Sequence, residues 1–193
     1  MTDMILCHHG IKGQKWGVRR YQYEDGTYTE LGKKRKNSRI FVSGSSKTQD
    51  DTSPYRRDLP ETVKQVLREY MDQKVKFLVG DAPGIDRQVQ DFLKEQSYKK
   101  VTVYSPGKQV RYLADEKWKN KAYDSKYEPF SSEWLAKKDR AMSRSATEGL
   151  AVVLDQGGAK ATRKNVERLD NKGKKVRVYE ISSKGSKYDR WIR

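Results

Sequence analysis

Cysteine and histidine are scarce, with Cys7, His8 and His9 the only examples in 193 residues. A single thiol excludes an intrachain disulfide and fits a reducing compartment. The three residues are consecutive, and no second Cys/His cluster follows to complete a four-ligand set, so no metal site is expected. No apolar run approaches the ~20 residues of a membrane-spanning helix. The opening MTDMILCHHG also lacks the basic start and long apolar core of an export signal. These absences lead to the expectation of a cytoplasmic protein with no membrane partner. Apolar residues amount to only 34%. They are nevertheless gathered into short β-rich runs and helical stripes, which argues for a compact folded core over disorder.

Positive charge, by contrast, is abundant. Forty-two Lys and Arg residues against 26 Asp and Glu give a net charge of +16, which attracts polyanions such as nucleic acid, nucleotides or acidic protein surfaces. Much of this charge lies on Lys-rich helix faces and at the chain ends, where solvation alone accounts for it.

Three regions can be separated. Residues 1–37 form an arm with no sustained period, a turn signal at Asp25-Gly26 between Tyr23 and Tyr28, and a basic linker from Lys33 to Lys36. Residues 38–181 alternate strand-like and helix-like segments, and residues 182–193 read as a basic, polar tail. In the middle region, strands are expected at 39–43, 76–79, 101–104, 150–154 and 176–179. Helices are expected at 59–70, from Ile85 to Leu93, at 132–146 and at 161–171. The stretch 105–131 breaks the rhythm and reads as a partly ordered crossover or lid. Strands joined through helices pair in parallel by right-handed crossovers. The fold class is therefore α/β, a Rossmann-like doubly wound parallel sheet of about five strands. With the first strand central, the order 3-2-1-4-5 puts a switch point between strands one and four, where ligands bind in such sheets.

Three strand-end turns converge on that point. Ser43, Gly44, Ser45, Ser46 and Lys47 offer backbone N–H groups, hydroxyls and an ammonium to an anion, although small polar residues also make ordinary turns. Gly80-Asp81-Ala82-Pro83-Gly84-Ile85-Asp86 is a tight turn into a helix. Its Asp81 is suited to a ribose or base, or to capping, and Asp86 sits in the first helical turn, where a carboxylate suits the dipole. Asp155, Gly157, Gly158, Lys160 and Thr162 form a Gly-Gly entry to a helix, another anion-binding arrangement. The spacing is not that of an ATPase phosphate loop.

The run Val79-Gly80-Asp81-Ala82-Pro83-Gly84-Ile85-Asp86-Arg87, the helix segment Lys138-Asp139-Arg140-Ala141-Met142 and Leu154-Asp155-Gln156-Gly157-Gly158 together resemble the SLOG superfamily over residues 38–181. That group includes the "lonely guy" nucleotide phosphoribohydrolases, the DprA DNA-processing proteins and ligand-sensing domains. The resemblance implies a nucleotide-type small-molecule ligand, no cofactor, and a homodimer formed through helices. The hydrolase branch carries a glutamate where this chain has Asn165, and a neutral amide is no general base. The catalytic candidates that remain are Asp81, Glu133 and Arg140, and a surface salt bridge explains Arg140 equally well. Separately, His8-His9-Gly10-Ile11-Lys12-Gly13-Gln14-Lys15-Trp16-Gly17-Val18-Arg19-Arg20-Tyr21 resembles a segment of tailed-phage head-associated proteins. It implies a phage-encoded protein of the host cytoplasm or the virion, whose arm docks on a phage head protein or on nucleic acid.

The leading expectation is a phage-encoded binder that senses or sequesters a nucleotide signal of bacterial defence. One alternative is a nucleotide or NAD-derivative N-glycosidase. Another is a virion-associated or DNA-binding protein using the basic surface.

Overall fold

The computed structural model describes residues 27–45, 59–123, 127–154, 159–181 and 187–192. The N-terminal arm through residue 26, with its Asp25-Gly26 turn and phage-like segment, lies outside them, as do Ser46, Lys47, Asp155, Gly157 and Gly158.

In chain order the elements are α1 Glu30–Lys36, β1 Arg39–Gly44, α2 Glu61–Asp72, β2 Lys76–Gly80, α3 Ile85–Glu95 and β3 Val101–Ser105. They continue with β4 Lys119–Ala122, α4 Ser132–Ser145, β5 Glu148–Leu154, α5 Lys160–Asp170, β6 Val176–Ile181 and β7 Lys187–Ile192. The sheet has seven strands in the order β4-β3-β2-β1-β5-β6-β7. All neighbours pair in parallel except β6 and β7, which are antiparallel. The five strands expected from the sequence occupy the middle of the sheet in the expected order, with the reversal between β1 and β5.

Alternation along the central strands divides the core into two layers. Ile40 and Val42, Phe77 and Val79, Val101 and Val103, and Leu150 and Val152 point to one face, where they meet α2 and α3. Phe41, Leu78, Tyr104, Ala151 and Val153 point to the other, against Ala141 and Met142 of α4 and Leu169 of α5. Helices on both faces of a parallel sheet define the doubly wound Rossmann-like class.

Two further strands enlarge the five-strand expectation. Lys119-Asn120-Lys121-Ala122 has no apolar alternation because β4 is a mostly exposed edge. Lys187–Ile192, inside the stretch read as a basic tail, forms the opposite edge. The presumed basic linker is the short helix α1. The crossover from 106 to 118 contains no helix and is anchored to the body: Ala114 and Trp118 enter the core, and Trp118 Nε1 donates to the carbonyl of Tyr98 at 2.9 Å.

Candidate functional site

Beyond the paired C-terminal ends of β1 and β5 the chain leaves toward opposite faces of the sheet, to α2 and to α5, and a pocket of about 300 Å³ opens at this switch point. Phe41, Ser43 and Gly44 of β1, Ala82, Pro83 and Asp86 around the start of α3, and Ala161, Thr162 and Asn165 of α5 line it, with Arg111 and α4 completing the wall. Glycines create the space. A Cβ on Gly44 would lie 2.2 Å from Cβ of Ile85, so only glycine lets α3 begin this close to β1. The Ile85 N–H then donates to the Ser45 carbonyl at 3.2 Å, and the Ser45 N–H to the Val152 carbonyl at 3.1 Å. Gly84 turns the chain into α3 with φ of 84°, in the left-handed region that side chains disfavour. A Cβ on Gly80 would fall 2.1 Å from Asp86 Oδ2 and 2.6 Å from Lys138 Nζ. The sequence suggested a phosphate-holding glycine, and the structure makes Gly80 the clearance for a buried ion pair.

That pair belongs to a polar cluster under the pocket. Lys138 Nζ donates to Asp139 Oδ1 at 3.0 Å and sits 3.8 Å from Asp86 Oδ2. Asn165 Nδ2 donates to Ser43 Oγ and to Asp139 Oδ2, both at 3.0 Å, and Arg168 Nη1 donates to Asn165 Oδ1. Each ion is paired, as a buried charge requires. Burial pushes the Asp86 carboxyl up to about 6; Lys138 opposes this, and the Asp139 carboxylate adds to it. Burial pulls Lys138 down, but the Asp139 and Asp86 carboxylates outweigh it, and the net shift is upward.

Asp81 is almost fully buried and engaged. Its Oδ2 accepts from the N–H and Nε of Arg111, each at 3.1 Å, and its Oδ1 from Arg111 Nη2 at 2.5 Å. This bidentate clamp ties the 106–118 crossover to the end of β2. Glu133 and Arg140 form an ion pair of 2.5 Å on the exposed face of α4 and do not line the pocket. Lys160 is exposed at the first residue of α5 and also stays outside the lining.

Thr162 stands apart among the predicted residues that the structure describes. It is 1% exposed, lines the pocket, and its hydroxyl has no hydrogen-bond partner. Around it, α3 and α5 both begin without a side-chain cap, at Gly84 and Ala159. The Ile85 N–H at the start of α3 is taken by the Ser45 carbonyl; the remaining first-turn N–H groups of the two helices are the donors an anion could use. Among the described residues no group of three or more His, Cys, Asp or Glu side chains is arranged to hold a metal ion.

Lys138, Asp139, Arg111 and the role of Asn165 were not singled out by sequence reasoning. One signal was present: Lys138 lies four residues after Trp134 and four before Met142, on the buried stripe of α4. A lysine on an apolar stripe calls for a buried counter-ion.

No protein-family model matches the chain, and no curated protein does. Among solved structures, the fold is similar to DNA processing protein A from Helicobacter pylori, which was described for its single-stranded DNA binding mode. The TM-score is 0.50 over 75% of this chain and 67% of that one, at 14% identity. At this identity the likeness shows a shared Rossmann-like architecture alone.

Proposed function

We propose that this protein binds a nucleotide-type ligand in the switch-point pocket, with the phosphate held between the starts of α3 and α5. The observation that carries this reading is Thr162, a pocket-lining residue whose buried hydroxyl has no hydrogen-bond partner. An unsatisfied buried hydroxyl costs about 1–3 kcal/mol, and a ligand oxygen would relieve that cost. The two uncapped helix starts supply further donors, and the SLOG resemblance supplies the ligand class. Of the carboxylates named for hydrolysis, Asp81 is filled by Arg111 and Glu133 lies outside the pocket, so binding is preferred to catalysis. The phage-like segment extends the reading to a sensor or sponge for nucleotide signals of bacterial defence.

Isothermal titration with AMP, ADP-ribose and cyclic dinucleotides tests the proposal. At least one should bind, and Thr162→Val should weaken it about tenfold or more, the loss of a hydrogen bond to a charged group. Absence of heat at millimolar ligand overturns it. Single-stranded DNA is the second reading, favoured by the binding mode of the structural neighbour. It would replace the first if oligonucleotides, but no mononucleotides, competed for the Thr162 site.

A further inference from the structure

A second concavity, also about 300 Å³, lies on the α4-facing side of the sheet, toward the N-terminal ends of the strands. In a doubly wound sheet both faces are normally covered by helices. Here β4 follows β3 with no helix between them, and α4 ends at Ser145 on the border of the concavity. The bare strip carries Arg39, Lys76, Lys119 and Lys121 in place of the apolar residues a covering helix would require.

Strand register puts these side chains together. Arg39 is opposite Lys76, Thr102 opposite Lys119, and Tyr104 opposite Lys121, and residues paired across parallel strands share a face. Lys119 and Lys121 are two residues apart, about 6.6 Å at strand rise. Lys121 Nζ lies 5.4 Å from the centre of the Tyr104 ring, which in turn stacks on Tyr123 at 5.9 Å. Arg39 directs Nε to the Ser145 carbonyl at the end of α4. Among the described residues, none of the four cations forms a salt bridge. Like charges on neighbouring strands repel. The same repulsion, after burial and the Lys172 charge, lets Arg39 help depress Lys174 nearby.

We propose that this strip binds the sugar-phosphate backbone of single-stranded nucleic acid, with Lys76, Lys119 and Lys121 contacting phosphates. The four cations, one on β1, one on β2 and two on β4, span the four adjacent strands β4-β3-β2-β1, about 14 Å, which suits one backbone crossing the sheet edge. The site is separate from the switch-point pocket and does not depend on the nucleotide reading.

The test is fluorescence anisotropy of a labelled 15-nucleotide oligothymidylate with the full chain over a sodium chloride series. Three lysine–phosphate contacts predict a slope of log K against log salt of about −2.1 for a single strand. Lys119→Gln with Lys121→Gln should reduce the magnitude of that slope by about 1.4 and weaken binding. Lys94→Gln with Lys99→Gln, an equal loss of charge elsewhere, should leave the slope unchanged. Circular dichroism verifies that both double variants fold, and Lys76→Gln alone should lower the slope by about 0.7. Equal losses in the two double variants would reduce the effect to net charge and overturn the proposal, as would no binding by the parent protein. Unchanged DNA binding with new self-association would assign the lysines to guarding the sheet edge, and would also overturn it. Thr162→Val must leave oligothymidylate binding intact, and the Lys119/Lys121 variant must leave mononucleotide binding intact, so the two sites fail separately.

Discussion

The two ends of the sheet treat charge in opposite ways. At the C-terminal end, Asp86, Lys138 and Asp139 are buried and paired, and Asn165 ties them to Ser43 of β1. Toward the N-terminal end, Arg39, Lys76 and Lys119 stand in solvent without salt-bridge partners among the described residues. Buried charges interact strongly and resist screening by salt, whereas exposed ones act at longer range and fade with ionic strength. The first arrangement fixes the shape of a pocket, and the second attracts a polyanion.

Substitutions should break this contrast unequally. The largest effect belongs to Lys138→Met, which strands two buried carboxylates. Urea unfolding should show a loss of about 3–5 kcal/mol, the cost of removing one partner from a buried ion cluster. Gly80→Ala comes next, because its methyl would collide with Asp86 Oδ2; overpacking of this kind costs about 1–3 kcal/mol.

Asp86→Asn sharpens the comparison through pH. The folded carboxyl lies near 6 against an ordinary 3.8, so the folded chain holds this proton more tightly than the unfolded one. Its contribution to stability is complete below pH 3.8 and is lost as pH rises through about 6. The variant should therefore gain on the parent across that window, by on the order of 2 kcal/mol at pH 8. Thermal melts at pH 4 and pH 8 measure the gain, and an equal difference at both would remove Asp86 as the titrating group. Thr162→Val should be neutral or slightly stabilising, by up to about 1 kcal/mol, since it deletes an unpartnered hydroxyl. The smallest change is expected from Lys119→Gln with Lys121→Gln, within about 0.5 kcal/mol as for other surface sites.

The central five strands were legible because their apolar runs are buried on both faces, and the glycine turns punctuate them. β4 and β7 were not, since an edge strand meets the core on few positions and its polar residues carry no period. Ser43, Gly44 and Thr162, which line the pocket, could be named from the sequence because small and hydroxyl residues at a strand end or helix entry are a local signal. Arg111 was missed because its partner Asp81 is 30 residues away, and only folding brings them together. Lys138 and Asp139 sit in the run Lys137-Lys138-Asp139-Arg140, where buried and solvated charges are spelled alike. Asp86 was assigned to the helix dipole. It does accept from the Ala82 N–H at 3.4 Å, but its burial beside Lys138 depends on α4, which lies far along the chain.

The antiparallel last strand has a practical corollary. Because β7 runs back along β6 until Ile192 stands opposite Val176, it finishes at the sheet end where Arg39 starts β1. The folded body is entered and left on one side. A fluorophore or fusion partner joined after β7 would report from the sheet end where Arg39 and Lys76 start their strands, but from the edge opposite β4, with the switch-point pocket at the other end.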